Sequence, residues 1–78
     1  NGEYEVIEAE IIETSELINK ELKNSDLPDD IRIGAILRGS DVIIPRSDFI
    51  FKKEDVVVFL AKKNLLQVVE NMFRISSI

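Results

Sequence analysis

The sequence contains no cysteine and no histidine. Disulfide bonds are therefore excluded, and the thiolate and imidazole ligands of most zinc, copper and iron–sulfur sites are missing. The cysteine and histidine of the usual nucleophile–base pairs are missing too, so we expect that the protein is not an enzyme. A small domain without disulfides fits the cytosol, although this alone does not fix the compartment.

Glycine is scarce, with three residues in a chain of 78. Neither the Walker phosphate-binding loop nor the dinucleotide-binding fingerprint can be built from so few glycines at these positions. Long apolar runs are missing as well, since the longest, residues 56–61, is far too short to cross a bilayer. No basic leader precedes an apolar segment at the N-terminus. We therefore expect one domain, residues 1–78, that is not itself a membrane anchor.

The composition, with 45% hydrophobic and 32% charged residues, is typical of a folded globular protein. The net charge of −5 argues against nucleic-acid binding, which requires clustered lysine and arginine. The charge is uneven: residues 1–30 carry ten acidic and two basic side chains, whereas residues 31–78 carry five acidic and eight basic ones. The acidic segment either lies in solvent or meets the basic half of a neighbouring copy.

The N-terminal third predicts a strand followed by a helix. The stretch EYEVIEAEII alternates in polarity, but its phase changes in the middle. This predicts a bulge near Val6 and Ile7, or a strand partly buried on both sides. Thr14 or Ser15 can then cap a helix, which we expect to end at Pro28.

Residues 31–44 predict a β-hairpin. The period of two from Ile31 onward places Arg32, Gly34 and Arg38 on one face of the first strand. RGSD supplies turn chemistry, VII returns as the second strand, and Pro45 ends it.

The continuous apolar run 56–61 predicts a central strand that is covered on both faces. Asn64 and Gln67 have the spacing of a capping box before a final amphipathic helix. The order β-α-β-β-β-α predicts an α+β fold, with a small mostly antiparallel sheet and both helices on one face. A second copy would cover the other face, which predicts a homodimer that forms through the sheet and hairpin. The predicted interface residues are Ile33, Ile36, Ile43 and Val57.

Three arginines on or beside the hairpin are candidate anion ligands, because the planar guanidinium suits phosphate. They are Arg32, Arg38 and Arg46. The alternative is that they lie in solvent or pair with the acidic segment across an interface. The carboxylates lack the spacing of a calcium loop, so no metal site is predicted.

Three segments in this order resemble the TrkA C-terminal domain, an RCK-type C-terminal domain of subunits that govern potassium transport. They are IRIGAILRGSDVIIPRSD, an acidic turn, and DVVVFLA. The likeness extends from Tyr4 to Phe73 and is greatest for the last such domain of Trk potassium uptake regulators. Asn19 and Glu54 stand where the family often has glycine, which predicts altered turns in the same fold.

The resemblance implies a regulatory and dimerisation domain in the cytoplasm, peripheral to the inner face of the plasma membrane. It would couple ligand state to gating of a membrane potassium-translocating partner. No cofactor is expected in this chain, because NAD or an adenine nucleotide would bind a separate Rossmann domain.

Some members of the family bind cyclic di-AMP at the dimer interface, which implies an alternative function as a small-ligand sensor. The corresponding contacts would come from Ile31, Arg32, Ile33 and Pro45. A nucleotide or another anion would then also engage Arg38 and Arg46.

Overall fold

Four strands and one α-helix make up the fold in the computed structural model, which describes residues 3–73. All strand pairs are antiparallel, in the order β1-β4-β2-β3. The predicted α+β class is confirmed. The elements are β1 (Tyr4–Glu10), β2 (Ile31–Arg38), β3 (Asp41–Ile43), β4 (Val56–Lys62) and α1 (Leu66–Phe73).

The apolar run 56–61 forms β4, which lies between β1 and β2, as predicted. Val57, Phe59 and Ala61 point to the side of the sheet that we call the covered face, and each is at most 2% exposed. Phe59 stacks on Phe73 of α1 with ring centroids 5.1 Å apart, so α1 lies on this face. The stacked rings hold the end of α1 against β4.

The other side of the sheet, the open face, carries apolar side chains that remain accessible within residues 3–73. Val6 is 75% exposed and Leu60 is 39% exposed, and they are cross-strand partners. Val42 and Ile44, at the far edge, are 68% and 72% exposed. No helix in the described residues has the length and apolarity needed to span a membrane.

The predicted first helix is wrong. Residues 13–14 and 16–19 form turns, followed by a short 3-10 turn at Leu22–Asn24. The Asn19 N–H donates to the carbonyl of Phe51, and the Phe51 N–H donates to the carbonyl of Lys20. Because the backbone pairs with a distant segment and Asn19 has φ of 67°, a regular helix cannot continue here.

The second helix is confirmed as α1, with Val69 and Phe73 buried on its apolar side. It begins at Leu66, directly after a 3-10 turn at Lys63–Leu65. Asn64 therefore lies inside that turn and does not cap α1.

The predicted bulge lies in β2 and not in β1. β1 pairs with β4 without interruption, and Val6 simply places an apolar side chain on the open face. In β2 the register shifts between Ile33 and Ala35, so Gly34 is an extra residue. The bulge reverses which side chains face inward beyond it, so Arg32 and Arg38 lie on opposite faces and not on the shared face that we predicted.

Candidate functional site

A groove of about 640 Å³ lies beside the first half of β2. Its walls come from the loop before β2, from the start of β2 and from the proline after β3. The lining residues are Leu22, Lys23, Ser25, Asp26, Leu27, Pro28, Asp29, Ile31, Arg32, Ile33 and Pro45.

The groove exists because β3 is short. β3 pairs only with the last three residues of β2, residues 36–38. Within residues 3–73, the outer edge of residues 31–33 therefore has no strand beside it, and the loop lies there instead.

Hydrogen bonds hold the loop wall in place. The Leu22 N–H donates to the Phe49 carbonyl at 2.8 Å, and the Lys23 N–H donates to the Ser47 carbonyl at 2.9 Å. The buried Ser25 hydroxyl donates to the Leu22 carbonyl at 2.7 Å. With its backbone bonded to a neighbouring segment, this wall is pre-formed, as is usual for a small-molecule site.

The charges around the groove balance. Lys23 and Arg32 supply two cations, and Asp26 and Asp29 supply two carboxylates. Leu27 and Ile31 add apolar side chains, but the surface that the groove exposes is more polar than apolar. Such a mixed lining suits a ligand that has both polar groups and an apolar part.

The structure brings four of the predicted ligand residues together, because Ile31, Arg32, Ile33 and Pro45 all line this groove. Arg46 follows Pro45 and is exposed, outside the lining. The three predicted anion-binding arginines therefore do not form one cluster.

Arg38 lies at the other end of β2, in an ion pair with Asp55. Its Nε donates to Oδ1 at 2.8 Å, and a terminal nitrogen donates to Oδ2 at 2.7 Å. The Lys52 N–H also donates to Oδ2, at 2.9 Å, and the Arg38 guanidinium lies 5.0 Å from the Phe49 ring centroid. The Asp55 side chain is 1% exposed, against 39% for that of Arg38. Arg38 is therefore committed to this pair and not directed to the groove.

The pKa of the Arg38 guanidinium is raised above its ordinary value. The main cause is that Asp55 accepts its hydrogen bonds; burial acts in the opposite direction, and the negative charge of Asp55 adds to the rise. Arg38 thus stays positively charged throughout the range in which proteins are assayed.

Two of the four predicted interface residues are not at the surface. Ile36 and Val57 are both 0% exposed and belong to the core of the chain itself. Ile33 and Ile43 are half-buried and pack against the same core. The reason is the bulge at Gly34, which turns Ile36 onto the covered face opposite Val57. Ile36 and Val57 are therefore core residues of one copy, and the prediction that they contact a second copy is wrong.

Three features of the site were missed by sequence reasoning. The groove wall at Leu22 was assigned to a helix, and Gly34 was not recognised as a bulge. The pairing of Asp55 with Arg38, in which Asp55 also accepts from the Lys52 N–H, was not predicted. Among residues 3–73, no group of three or more acidic side chains is arranged to hold a metal ion.

The two residues that stand where the family often has glycine both have positive φ angles. Asn19 has φ of 67° and Glu54 has φ of 75°, in the left-handed region that glycine adopts most readily. Each turn therefore keeps a shape suited to glycine with a larger residue in place.

Comparison with known proteins places this arrangement in context. The family model for the TrkA-C domain matches residues 6–74. A Trk system potassium uptake protein TrkA of Azorhizobium caulinodans is 40% identical over 76 residues, which cover 97% of this chain and 17% of that protein. A TrkA homolog of Archaeoglobus fulgidus is 38% identical over 64 residues, which cover 82% of this chain and 15% of that protein. The chain thus spans about a sixth of the length of these relatives.

Among solved structures, a chain described as an RCK domain with cda superposes with a TM-score of 0.73. The alignment covers 87% of this chain and 96% of that chain, at 20% sequence identity. At this identity the likeness concerns the fold, and it agrees with the sheet and helix described above.

Proposed function

The chain belongs to the TrkA-C domain family, and from this we propose that it is a regulatory and dimerisation domain of a potassium uptake system. It has no catalytic role in this proposal. It works in the cytoplasm at the inner face of the plasma membrane, within a longer regulator that contacts a potassium-translocating membrane protein. NAD or an adenine nucleotide binds a separate Rossmann domain of that regulator and not this chain.

The proposed mechanism is a coupling between a ligand state and the packing of two copies. An event at the nucleotide domain, or a ligand in the groove, favours one arrangement of the pair. That arrangement in turn biases the pore. A ligand can shift this equilibrium only by the difference between its affinities for the two arrangements.

One observation carries the proposal: the first half of β2 contributes to both surfaces. Ile31 lines the groove, and Arg32 lines the groove and also a dent on the open face. A molecule that orders the start of β2 therefore touches the same residues that a partner on the open face would touch. The two events share one structural element, which is what coupling requires.

A domain exchange tests the leading function. The TrkA-C domain of the Azorhizobium caulinodans relative is replaced by this chain, and potassium uptake is measured in cells that lack their own Trk regulator. We expect uptake well above that of cells carrying the relative with the domain deleted. An exchanged protein that is stably expressed and still no better than the deletion would refute the proposal.

A second candidate function is a small-ligand sensor, favoured by the four residues that share the groove. Calorimetric titration of the 78-residue chain with cyclic di-AMP, ATP and inorganic phosphate separates the two, because a pure interface domain gives no heat. If the groove is a nucleotide site, Arg32→Gln weakens binding about tenfold or more, through loss of a charge-assisted hydrogen bond. Arg46→Gln, an equal change outside the lining, is the control and leaves binding unchanged.

A further inference from the structure

The sheet ends on one side at β1, whose outer edge has no other strand beside it within residues 3–73. β1 has seven residues, whereas β3, at the other end of the strand order, has three. Proteins commonly protect a sheet edge by shortening it, by a bulge or by proline. β1 has an unbroken register with β4 and contains no proline, so its edge is able to accept a further strand.

The register shows which backbone groups of β1 point away from the sheet. In an antiparallel pair, alternate residues exchange N–H···O bonds with the neighbouring strand, and the residues between them direct these groups to the other side. The Ile11 N–H donates to the Asp55 carbonyl. The Lys63 N–H donates to the Glu3 carbonyl. The odd-numbered residues are therefore bonded toward β4, and the even-numbered ones direct their N–H and carbonyl groups to the outer edge. These are Tyr4, Val6, Glu8 and Glu10.

The side chains of these four residues divide the edge into two halves. Tyr4 and Val6, in the first half, are 43% and 75% exposed. Glu8 and Glu10, in the second half, are exposed carboxylates, and neither makes an ion pair within residues 3–73. A strand that pairs here would meet largely apolar side chains at one end and two carboxylates without a cation at the other.

Charge selects the occupant of the edge. Glu3 and Glu5 bring the carboxylates of residues 3–10 to four, and no lysine or arginine lies in that stretch. The cation of β4, Lys62, lies at the apolar end and already pairs with Asp30. A second copy of β1 would bring the same four carboxylates to the edge, and like charges on adjacent strands are destabilising. Lysine or arginine would instead pair with them, and complementary charge also speeds the encounter.

We propose that the outer edge of β1 binds an extended, basic peptide segment of another protein, which adds a fifth strand to the four-stranded sheet. All pairs in this sheet are antiparallel, and an antiparallel segment has its first residues opposite Glu10 and its last opposite Tyr4. Basic residues therefore occupy two alternate positions and apolar residues the next two. The inference rests on the proposed function only for the source of the segment, because cytoplasmic loops of membrane proteins carry an excess of lysine and arginine.

The test uses the isotope-labelled 78-residue chain and a blocked peptide with this pattern, Lys-Thr-Lys-Thr-Val-Thr-Val. We expect amide hydrogen exchange at Val6 and Glu8 to slow about tenfold or more in saturating peptide, because these N–H groups become bonded. Exchange at Ile7 and Ala9, which are already bonded toward β4, should change little. Peptide that binds without slowing exchange at Val6 and Glu8 would overturn the inference.

Two N-methylated peptides separate strand pairing from attraction between charges. Methyl groups on the amides of the second lysine and the first valine remove two donors that would face β1, and binding should weaken about tenfold or more. Methyl groups on the second and third threonine amides, which would face away from β1, should weaken binding less than about threefold. Equal weakening by both changes would refute the added strand.

Charge reversal in the chain gives the matched comparison. Glu8→Lys should weaken binding of the peptide about fivefold or more, and replacing the second lysine of the peptide by glutamate should restore it to within about threefold. Asp41→Lys makes the same change of charge at an exposed position on β3, at the opposite edge of the sheet. In about 0.15 M salt it should weaken binding less than about threefold. Equal effects of Glu8→Lys and Asp41→Lys would contradict recognition at the β1 edge.

The remaining outcomes separate this inference from the proposed function. If the peptide does not bind at about 1 mM, the inference is overturned, while potassium uptake after the domain exchange still decides the function. If the peptide binds as described and the domain exchange fails, the added strand stands and the function falls. Slow exchange at Val6 and Glu8 without peptide, increasing with the concentration of the chain, would identify a second copy at this edge and overturn the inference.

Discussion

Replacing Arg38 by methionine tests the ion pair that ties the end of β2 to the turn before β4. Methionine keeps much of the side-chain length, but it removes the two hydrogen bonds to Asp55 and the exposed one to the Ile50 carbonyl. The carboxylate of Asp55 would remain with a side-chain exposure of 1% and only the Lys52 N–H as donor. The variant therefore leaves a buried negative charge without its cation.

The magnitude follows from the burial of the two partners. Removing one partner of a buried pair costs about 3–5 kcal/mol. Because the Arg38 side chain is 39% exposed, water already screens part of the pair, and we expect about 2–3 kcal/mol. A chain of 78 residues has a free energy of unfolding of roughly 4–12 kcal/mol, so this is a large share of the total.

The assay is urea unfolding at neutral pH and fixed protein concentration, followed by circular dichroism. Asp55→Asn is the comparison variant, because asparagine keeps the side-chain volume and one acceptor for the Lys52 N–H. In this variant the half-exposed Arg38 side chain can turn to water, so no buried charge is left without a partner. We expect Asp55→Asn to cost about 1–2 kcal/mol, less than Arg38→Met. A loss below about 1 kcal/mol for Arg38→Met, or the reverse order of the two variants, would refute this reasoning.

The pH dependence follows from the raised pKa of Arg38. A base whose pKa is raised by folding contributes its full stabilisation below its ordinary pKa and loses it only as pH rises through the raised pKa. For arginine both values lie above the working range. The difference in unfolding free energy between the original chain and Arg38→Met should therefore stay constant between about pH 7 and pH 10.

Three further substitutions test the fold around the site by urea unfolding. Glu54→Gly should stabilise the chain by roughly 0.5–1 kcal/mol, because φ of 75° strains glutamate and suits glycine, and a loss of stability would contradict the strained turn. Phe73→Ala should cost about 3 kcal/mol, because Phe73 is 0% exposed and stacks on Phe59, and a cost under about 1 kcal/mol would mean that α1 is not anchored there. Ser15→Ala should cost about 1–2 kcal/mol, because the buried hydroxyl donates to the Met72 carbonyl at 2.9 Å. Amide hydrogen exchange in α1 should then be faster, and unchanged exchange would contradict the role of this hydrogen bond in holding α1.

Much of the fold was accessible from the sequence because its strands have clear apolar patterns. The run 56–61 predicts a central strand, and β4 is that strand. The failures occurred where tertiary contacts override a local pattern. Ile18 and Leu22 have helical spacing, but Asn19 between them pairs its backbone with Phe51, and the segment forms turns.

The candidate site was accessible only in part. The resemblance to a known family identified Ile31, Ile33 and Pro45, and these do share a groove. Simple alternation could not show that Arg32 and Arg38 separate, because a bulge adds a residue without leaving a periodic signal. The partner of Arg38 is 17 positions away, at a distance where single-sequence patterns carry no contact information.

The extra residue in β2 changes which side chains of the strand face the interior. Before Gly34, odd-numbered side chains point toward the interior; after it, even-numbered ones do. Ile33 and Ala35 pair with successive residues of β4, Phe59 and Val58, so deleting that single glycine would give a regular strand in which Ile36 still points inward and Leu37 outward. A gene for this domain could thus lose this one codon and keep the other side chains of the strand on their present faces, because the extra residue occupies no position in the ladder.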